Sequence, residues 1–268
     1  MSDDFISVYG PVTSWRYGKS LGIDLIGPVS TCSFNCAYCQ LGEIQVRTAQ
    51  RQVFVPTEKV LEDLQAFAPW DVDVITFSGN GEPTLALNLE EAIVAVEQLT
   101  RKSIVVLTNA TLLGDLEVRQ ALSKADRVAA KFDAVFPADL QRIDRPVFGI
   151  NWQSIWAGLQ ELRQDYTGIL EIQTMLLSQW SEEQQAEYIR LMNLLRPDAI
   201  QLNTPTRPKP VTPHLETRGN HSEAASRPYE VRVLKQVPFE VLEKIAARIQ
   251  AETHIPVRFT PTRSHVSR

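Results

Sequence analysis

Residues 20–39 read SLGIDLIGPVSTCSFNCAYC, an apolar run followed closely by three cysteines within eight residues. The run at 20–26 is short, rich in Leu and Ile and closed by Gly27-Pro28, the pattern of a strand buried on both faces. Cys32, Cys36 and Cys39 then sit on the loop that leaves this strand, spaced C-x3-C-x2-C. Three thiolates on one loop can converge from several directions and wrap three corners of a cubane cluster. Such ligands suit iron–sulfur clusters and zinc alike.

The missing fourth ligand narrows the reading. These are the only cysteines in the chain, and its histidines, His214, His221, His254 and His265, all lie far downstream. A structural zinc site takes four protein ligands, and an electron-carrier cluster takes four cysteines. Here one corner is left to an exogenous ligand, and an open metal position signals chemistry. The alternatives are a Cys3His zinc site completed by a distant histidine, or buried thiols without metal. A disulfide framework would scatter an even number of cysteines along the chain.

Beyond the loop, strand-like and helix-like segments alternate. Apolar runs at 72–78, 103–108, 127–132, 169–177 and 199–203 repeat the first strand's pattern. Between them Val60, Leu61, Leu64 and Phe67 mark one helical face, and Leu89, Ile93, Val96 and Leu99 another. Further helices are expected at about 113–123, at Ile155 to Tyr166, at Tyr188 to Leu195 and at about 238–251. Ser181-Glu182-Glu183-Gln184 reads as a capping box opening the fifth of these. Six βα units imply an α/β fold with a parallel sheet and right-handed crossovers. A partial (βα)6 TIM-like barrel with helices outside is expected, with a further strand at 255–259. A doubly wound sheet fits the same alternation. Either places the active site beyond the C-terminal strand ends. One domain over 1–268 is expected, with an N-terminal extension at 1–19 and a C-terminal helix and tail at 237–268. Residues 204–236 carry five prolines and little periodicity, and read as an irregular lid segment.

Polar residues gather at the same strand ends. Ser78-Gly79-Asn80-Gly81-Glu82-Pro83-Thr84 closes the second strand. Glycines there let the backbone approach a ligand, and Glu82 offers a carboxylate to an ammonium group; the alternative is an ordinary turn. Thr108-Asn109 closes the third strand and Lys131-Phe132-Asp133 the fourth. Asp133 would otherwise cap the helical turn PADLQRI. Gln173 and Asn203, on the fifth and sixth strands, are site candidates or buried amides that satisfy backbone.

C-x3-C-x2-C with Tyr38 before the last cysteine, after the first strand of a βα array, resembles the radical S-adenosylmethionine (radical SAM) superfamily. Tyr9-Gly10-Pro11, Ser14, Arg16, Gly18, Ser20, Arg142-Ile143, Arg145-Pro146 and Gln201-Leu202-Asn203-Thr204-Pro205 extend it toward the branch related to wybutosine (tRNA-guanine) synthases. The resemblance implies a [4Fe–4S] cluster on the three cysteines and S-adenosylmethionine (SAM) chelated at the unique iron. Reductive cleavage would then give a 5′-deoxyadenosyl radical that abstracts hydrogen from an unidentified substrate, in an oxidoreductase or transferase-type reaction. It further implies a one-electron reductant such as flavodoxin or ferredoxin. Gly79, Asn80, Gly81 and Glu82 would meet the methionine amino group. Tyr38, Thr108, Asn109, Lys131, Asp133, Gln173 and Asn203 would line the rest of the cofactor site. The wybutosine enzymes' second set of cysteines is absent, so tRNA modification stands as an alternative, beside a non-catalytic carrier or sensor.

Charge divides unevenly along the chain. The whole carries a net −5, with −10 over residues 1–200 and +5 over 201–268. The basic stretch Arg207, Lys209, Arg218, Arg227, Arg232 and Lys235 reads as a site for an anionic partner, RNA or an acidic peptide, or as a solvated mixed surface. The first residues, MSDDFISVYG, lack a basic segment and an apolar core, and no run is long enough for a membrane helix. A cytoplasmic address is expected.

Overall fold

A computed structural model describes residues 5–218 and 229–259. In chain order the first half holds β1 (Val8–Ser14), β2 (Gly18–Ile23), the two-residue β3 (Thr31–Cys32) and β4 (Val46–Arg47), α1 (Thr57–Gln65), β5 (Val74–Phe77), α2 (Leu89–Thr100), β6 (Ser103–Thr108), α3 (Leu116–Leu122) and β7 (Arg127–Lys131). The second half holds α4 (Pro137–Ile143), α5 (Trp152–Asp165), β8 (Ile169–Met175), α6 (Glu182–Leu195), β9 (Ala199–Asn203), the short β10 (Lys209–Pro210) and β11 (Val231–Arg232), α7 (Phe239–Thr253) and β12 (Val257–Phe259). Ser181 and Gln184 form the expected capping box on α6, and Asn151 with Ser154 forms another on α5.

One sheet runs in the order β1-β2-β5-β6-β7-β8-β9-β12. All strands from β2 onward are parallel, and β1 pairs antiparallel with β2. Strand order follows chain order without the reversal that a doubly wound sheet requires. Neighbouring helices also pack largely in chain order, α1 on α2, α2 on α3, α5 on α6 and α6 on α7. The sheet is therefore wound in one direction.

It is also curled. The Tyr17 hydroxyl, in the β1–β2 turn, donates to Glu171 on β8 at 2.7 Å, although β2, β5, β6 and β7 separate them in the sheet. Arg258 Nη1 on β12 donates to the Arg16 carbonyl at 3.4 Å. Seven strand spacings of about 4.8 Å would hold the edges of a flat sheet roughly 30 Å apart. Only a partial barrel brings them together.

The convex face carries the apolar core, with Ile23, Ile75, Val106, Val128, Ile172 and Ile200 all buried. Burial of such side chains contributes about 1.5–3 kcal/mol each before chain entropy is counted. The concave face departs from the sequence reading. In β7, β8 and β9 the alternate residues Arg127, Lys131, Glu171, Gln173 and Gln201 are polar, and Glu171 and Gln201 are nonetheless fully buried. These runs are buried on both faces but apolar on only one. A period-two polar signal lay inside them.

The expected N-terminal extension at 1–19 supplies β1 and the start of β2, while residues 1–4 lie outside the described residues. Gly10-Pro11 looked like a strand breaker; it sits on an edge strand, at the register shift between Tyr9 and Val12, where proline is tolerated. Within 204–236, β10 pairs with β11 and a 3-10 turn spans Leu215–Arg218, while 219–228 lie outside the described residues. The tail beyond 259 does too. Among the described residues no helix is long and apolar enough to cross a membrane.

Glu171 holds the curl: its Oε1 accepts from Arg127 at 2.8 Å and Arg258 at 2.5 Å, and its Oε2 from Tyr17 at 2.7 Å and Gln201 at 2.8 Å. Removing one partner of a buried ion pair strands the others. Glu171→Ala is therefore expected to lower stability by about 2–4 kcal/mol, the half-exposed arginines moderating the loss. Urea unfolding of the cluster-free chain checks this; a change under about 0.5 kcal/mol would contradict the role given to Glu171.

Candidate functional site

The cysteine loop lies over the C-terminal ends of the strands and is stitched down on two sides. Toward β5, Thr31 N donates to the Asn80 carbonyl at 3.0 Å and Glu82 N to the Thr31 carbonyl at 3.1 Å. Toward the segment after α4, Asn35 N donates to the Asp144 carbonyl at 3.0 Å, Ala37 N to the Ile143 carbonyl at 2.8 Å, and Val147 N to the Ser33 carbonyl at 2.9 Å. β3 and β4 pair across the loop's own base. A loop held by so many backbone bonds keeps its three thiols in a fixed relation.

Donors converge on two of the sulfurs. Phe34 N and Asn109 Nδ2 each approach Cys32 Sγ at 3.4 Å, and Lys131 Nζ approaches Cys36 Sγ at 2.9 Å. Burial pushes the Cys32 thiol up to about 12 and raises Cys36 and Cys39 as well. The loop thus favours neutral thiols when empty-handed and offers N–H groups and a cation to stabilise sulfur anions once metal displaces the protons. Three thiols with N–H donors and a cation beside them are a donor set that suits a thiolate-bound metal centre.

Glu82 is the buried centre of the adjoining motif, at 2 % exposure. Its Oε1 accepts from Thr84 N at 3.1 Å, Thr84 Oγ1 at 2.7 Å and Thr108 Oγ1 at 2.7 Å; its Oε2 accepts from Asn109 N at 2.7 Å. Four donors match the roughly four lone-pair sites of a carboxylate. Desolvation nevertheless raises its pKa. Glu82 thereby joins the end of β5 to the end of β6, while its Oε2 accepts a single bond.

The glycines also have a local packing role. A Cβ on Gly81 would overlap the Thr31 carbonyl, and one on Gly79, at φ +141, would overlap the Asp24 carboxylate. Their close approach is to the cysteine loop and to β2's end. Asn80 is structural too, its N donating to Asp24 at 3.1 Å and its Nδ2 to the Gly27 carbonyl at 2.9 Å.

Asn109, held by Glu82, donates its Nδ2 to Ser33 at 2.8 Å as well as to Cys32. Opposite, Lys131 bonds Asp144 and pairs with Asp133 at 3.1 Å, with its ammonium 4.9 Å from the Phe34 ring and 5.0 Å from the Tyr38 ring. Burial works against the charged lysine, but Asp133 and Asp144 outweigh it and hold its pKa well above the usual value. Tyr38 donates to Asp133, whose other oxygen accepts from Met175 N at 2.8 Å. Asp133 therefore does not cap α4, which starts without a side-chain cap at Phe136. Phe34, Asn109, Lys131, Asp133 and Asp144 share one pocket. Gln173 lies deeper, donating to Tyr17 at 3.3 Å and Gln201 at 2.9 Å. Asn203 is buried at the end of β9, its carbonyl accepting from Leu176 N at 2.7 Å.

Sequence reasoning missed Asp144, whose pKa desolvation raises to about 7, and Asp24, fully buried at the end of β2. An aspartate closing an apolar strand run was the available signal for Asp24; Asp144, in a surface-like Arg-rich stretch, offered none. The 204–236 segment also reaches the site. Lys209 pairs with Glu43 at 2.6 Å, Arg207 bonds Gln40, and Arg218 pairs with Asp24 at 2.8 Å beneath the rings of Phe5 and Tyr9. Three of the six basic residues read as a partner surface thus serve the site's own scaffold.

The family model described as the Radical SAM superfamily matches residues 26–192. The UPF0026 protein slr1464 of Synechocystis is 50% identical over 98% of this chain and 99% of that protein. A UPF0026 protein of Methanocaldococcus jannaschii is 32% identical over 75% of this chain and 64% of its own length. A GTP 3′,8-cyclase of Mycobacterium ulcerans is 30% identical over 51% of this chain and 38% of its own length. Among solved structures, SuiB of Streptococcus suis bound to S-adenosylmethionine superposes with TM-score 0.58 over 88% of this chain and 46% of that one, at 14% identity. That likeness is one of fold.

If Glu82 is an internal tie, Glu82→Gln should destabilise the cluster-free chain by about 1–3 kcal/mol, because an NH2 then faces donors that need an acceptor. Thermal or urea unfolding without cluster or SAM reads this directly. An unchanged midpoint would contradict that internal role.

Proposed function

Because this chain belongs to the radical SAM superfamily, we propose that it is an enzyme that binds a [4Fe–4S] cluster on Cys32, Cys36 and Cys39 and SAM beside it, and abstracts hydrogen from a substrate. The observation that carries the reading is a trio of thiols on one stitched loop, with donors aimed at two of the sulfurs. Bound together, cluster and SAM would supply reductive cleavage to methionine and a 5′-deoxyadenosyl radical.

The chain's own residues have separable tasks. Glu82 fixes Thr108 and Asn109, and Asn109 orients Cys32, so this group positions the cluster loop. Glu82 Oε2, which accepts a single bond, and the neighbouring backbone of Gly79 and Gly81 are assigned to the methionine ammonium. Lys131 balances negative charge at Cys36 and at the methionine carboxylate. Asp133 accepts a ribose hydroxyl in place of the Tyr38 hydroxyl that now occupies it. Gln173 and Asn203 line the deeper, substrate side. The tilted aromatic group of Phe132, Trp152 and Trp156, with rings 5.6–6.1 Å apart, backs the pocket and excludes water.

An electron must enter from outside. We assign its delivery to an acidic one-electron carrier of the flavodoxin or ferredoxin type, at the loop's outer face. There Val29, Val46 and Phe148 are exposed, at 44 %, 44 % and 105 %, and Arg47 and Arg145 are exposed beside them. On a chain whose first 200 residues sum to −10, such an apolar patch with cations suits an acidic partner.

Anaerobic reconstitution should bind about four irons and, on dithionite reduction, release 5′-deoxyadenosine and methionine from SAM; each Cys→Ala variant should lose the iron. Full iron loading without SAM cleavage would sink the enzyme reading. Reversal of Arg47 and Arg145 to Glu is expected to raise the KM for an acidic carrier at least tenfold while dithionite-driven cleavage persists. Equal carrier dependence in both proteins would refute the docking face.

A further inference from the structure

The concave face of the barrel below the cysteine loop carries its own charge arrangement. Glu171, at its centre, is fully used: two oxygens serve Arg127, Arg258, Tyr17 and Gln201. Those two arginines share its one negative charge, which leaves one positive charge in excess. Arg16, from the same β1–β2 turn as Tyr17, is not among its hydrogen-bonded partners. The Arg16 Nε is buried and has no acceptor among the described residues, and its guanidinium lies 4.9 Å from the Trp15 ring. A buried N–H donor of a cation without an acceptor costs several times what a satisfied one contributes.

Its surroundings locate it. Tyr17, Glu171, Arg207 and Tyr38 all act electrostatically on Arg16. Its neighbour in the turn, Tyr17, bonds Glu171 at 2.7 Å, and the Arg16 carbonyl itself accepts from Arg258 at 3.4 Å, so Arg16 stands at the rim of the polar floor around Glu171. Burial and the like charge of Arg207 bring the Arg16 pKa down to about 10 against the support of Tyr17 and Glu171. A guanidinium with a buried N–H still unanswered, beside a floor where two further arginines share one carboxylate, is a receptor for an anion.

We propose that Arg16 is the anchoring residue for an anionic group of the substrate, a carboxylate or a phosphate, bound on the concave face. The inference rests on the reading of this chamber as a substrate site given above. Anchored at Arg16, a substrate extends toward Tyr38 and the cysteine loop, which is where hydrogen abstraction would begin. The ligand class follows from the donor and the charge: a guanidinium edge takes two oxygens of one oxyanion, a cationic group would be repelled, and a neutral acceptor would answer the N–H but leave the excess positive charge uncompensated.

Thermal unfolding and calorimetric titration of the cluster-free and the reconstituted chain test this without any turnover. The probes are sodium pyrophosphate and sodium succinate, each compared with sodium chloride at equal ionic strength. Saturable stabilisation by one probe is expected, and which probe acts distinguishes phosphate from carboxylate recognition. In Arg16→Met the stabilisation should vanish, while the midpoint in chloride stays level or rises, because an unsatisfied buried cation has gone. In Arg16→Lys, which keeps the charge but loses the planar edge, affinity should fall at least tenfold. Absence of saturable binding of either probe to the wild-type chain overturns the proposal whatever the variants do. So does an Arg16→Met chain that loses stability in chloride yet keeps the anion response. Neither readout depends on SAM cleavage, so failure here and failure of the radical reading are separable.

Discussion

One carboxylate with no access to water orders the mouth of this barrel. Glu82 accepts four hydrogen bonds from Thr84, Thr108 and Asn109, and its own backbone N–H reaches the cysteine loop at Thr31. Through it the end of β5, the end of β6 and the loop carrying the thiols become one body. Asn109 then passes that rigidity to Cys32, and Gly79 and Gly81 are required because the loop and Asp24 leave no room for a Cβ. Burying a carboxylate is expensive, and here the cost is offset by a full complement of donors rather than by a cation.

The opposite wall works by charge. Lys131 lies among Asp133, Asp144 and the Cys36 sulfur, with aromatic rings on two sides. The segment after β9 adds a third wall, where Lys209 meets Glu43 and Arg218 meets Asp24. A chain with a net −5 thus concentrates several of its cations around thiols that must become anionic to hold metal.

How much of this could be read from residue order depends on whether the signal was local. The six parallel strands follow from short Val/Ile/Leu runs, and α6 begins where Ser181 and Gln184 cap it, since both patterns are written within a few residues. The cysteines carried their chemistry in their spacing. The direction of the sheet's curl was not local: it depends on Tyr17 meeting Glu171 across 154 residues. β1 was hidden because Gly10-Pro11 breaks most strands but not an edge. Glu82 could be singled out from its place beside glycines, but its bonds to Thr84, Thr108 and Asn109 could not, because they depend on how the strand ends meet in space. Asp24 and Asp144 matter through long-range contacts that no window of sequence displays.

The central claim is that one cluster iron is left for SAM rather than for a protein side chain. Electron–nuclear spectroscopy of the reduced, reconstituted protein with SAM labelled at its amino nitrogen and carboxylate oxygen tests it most directly. Hyperfine coupling from both labels, lost when SAM is replaced by unlabelled cofactor, is the expected result. A spectrum indifferent to SAM, with coupling to a protein histidine instead, would contradict the account.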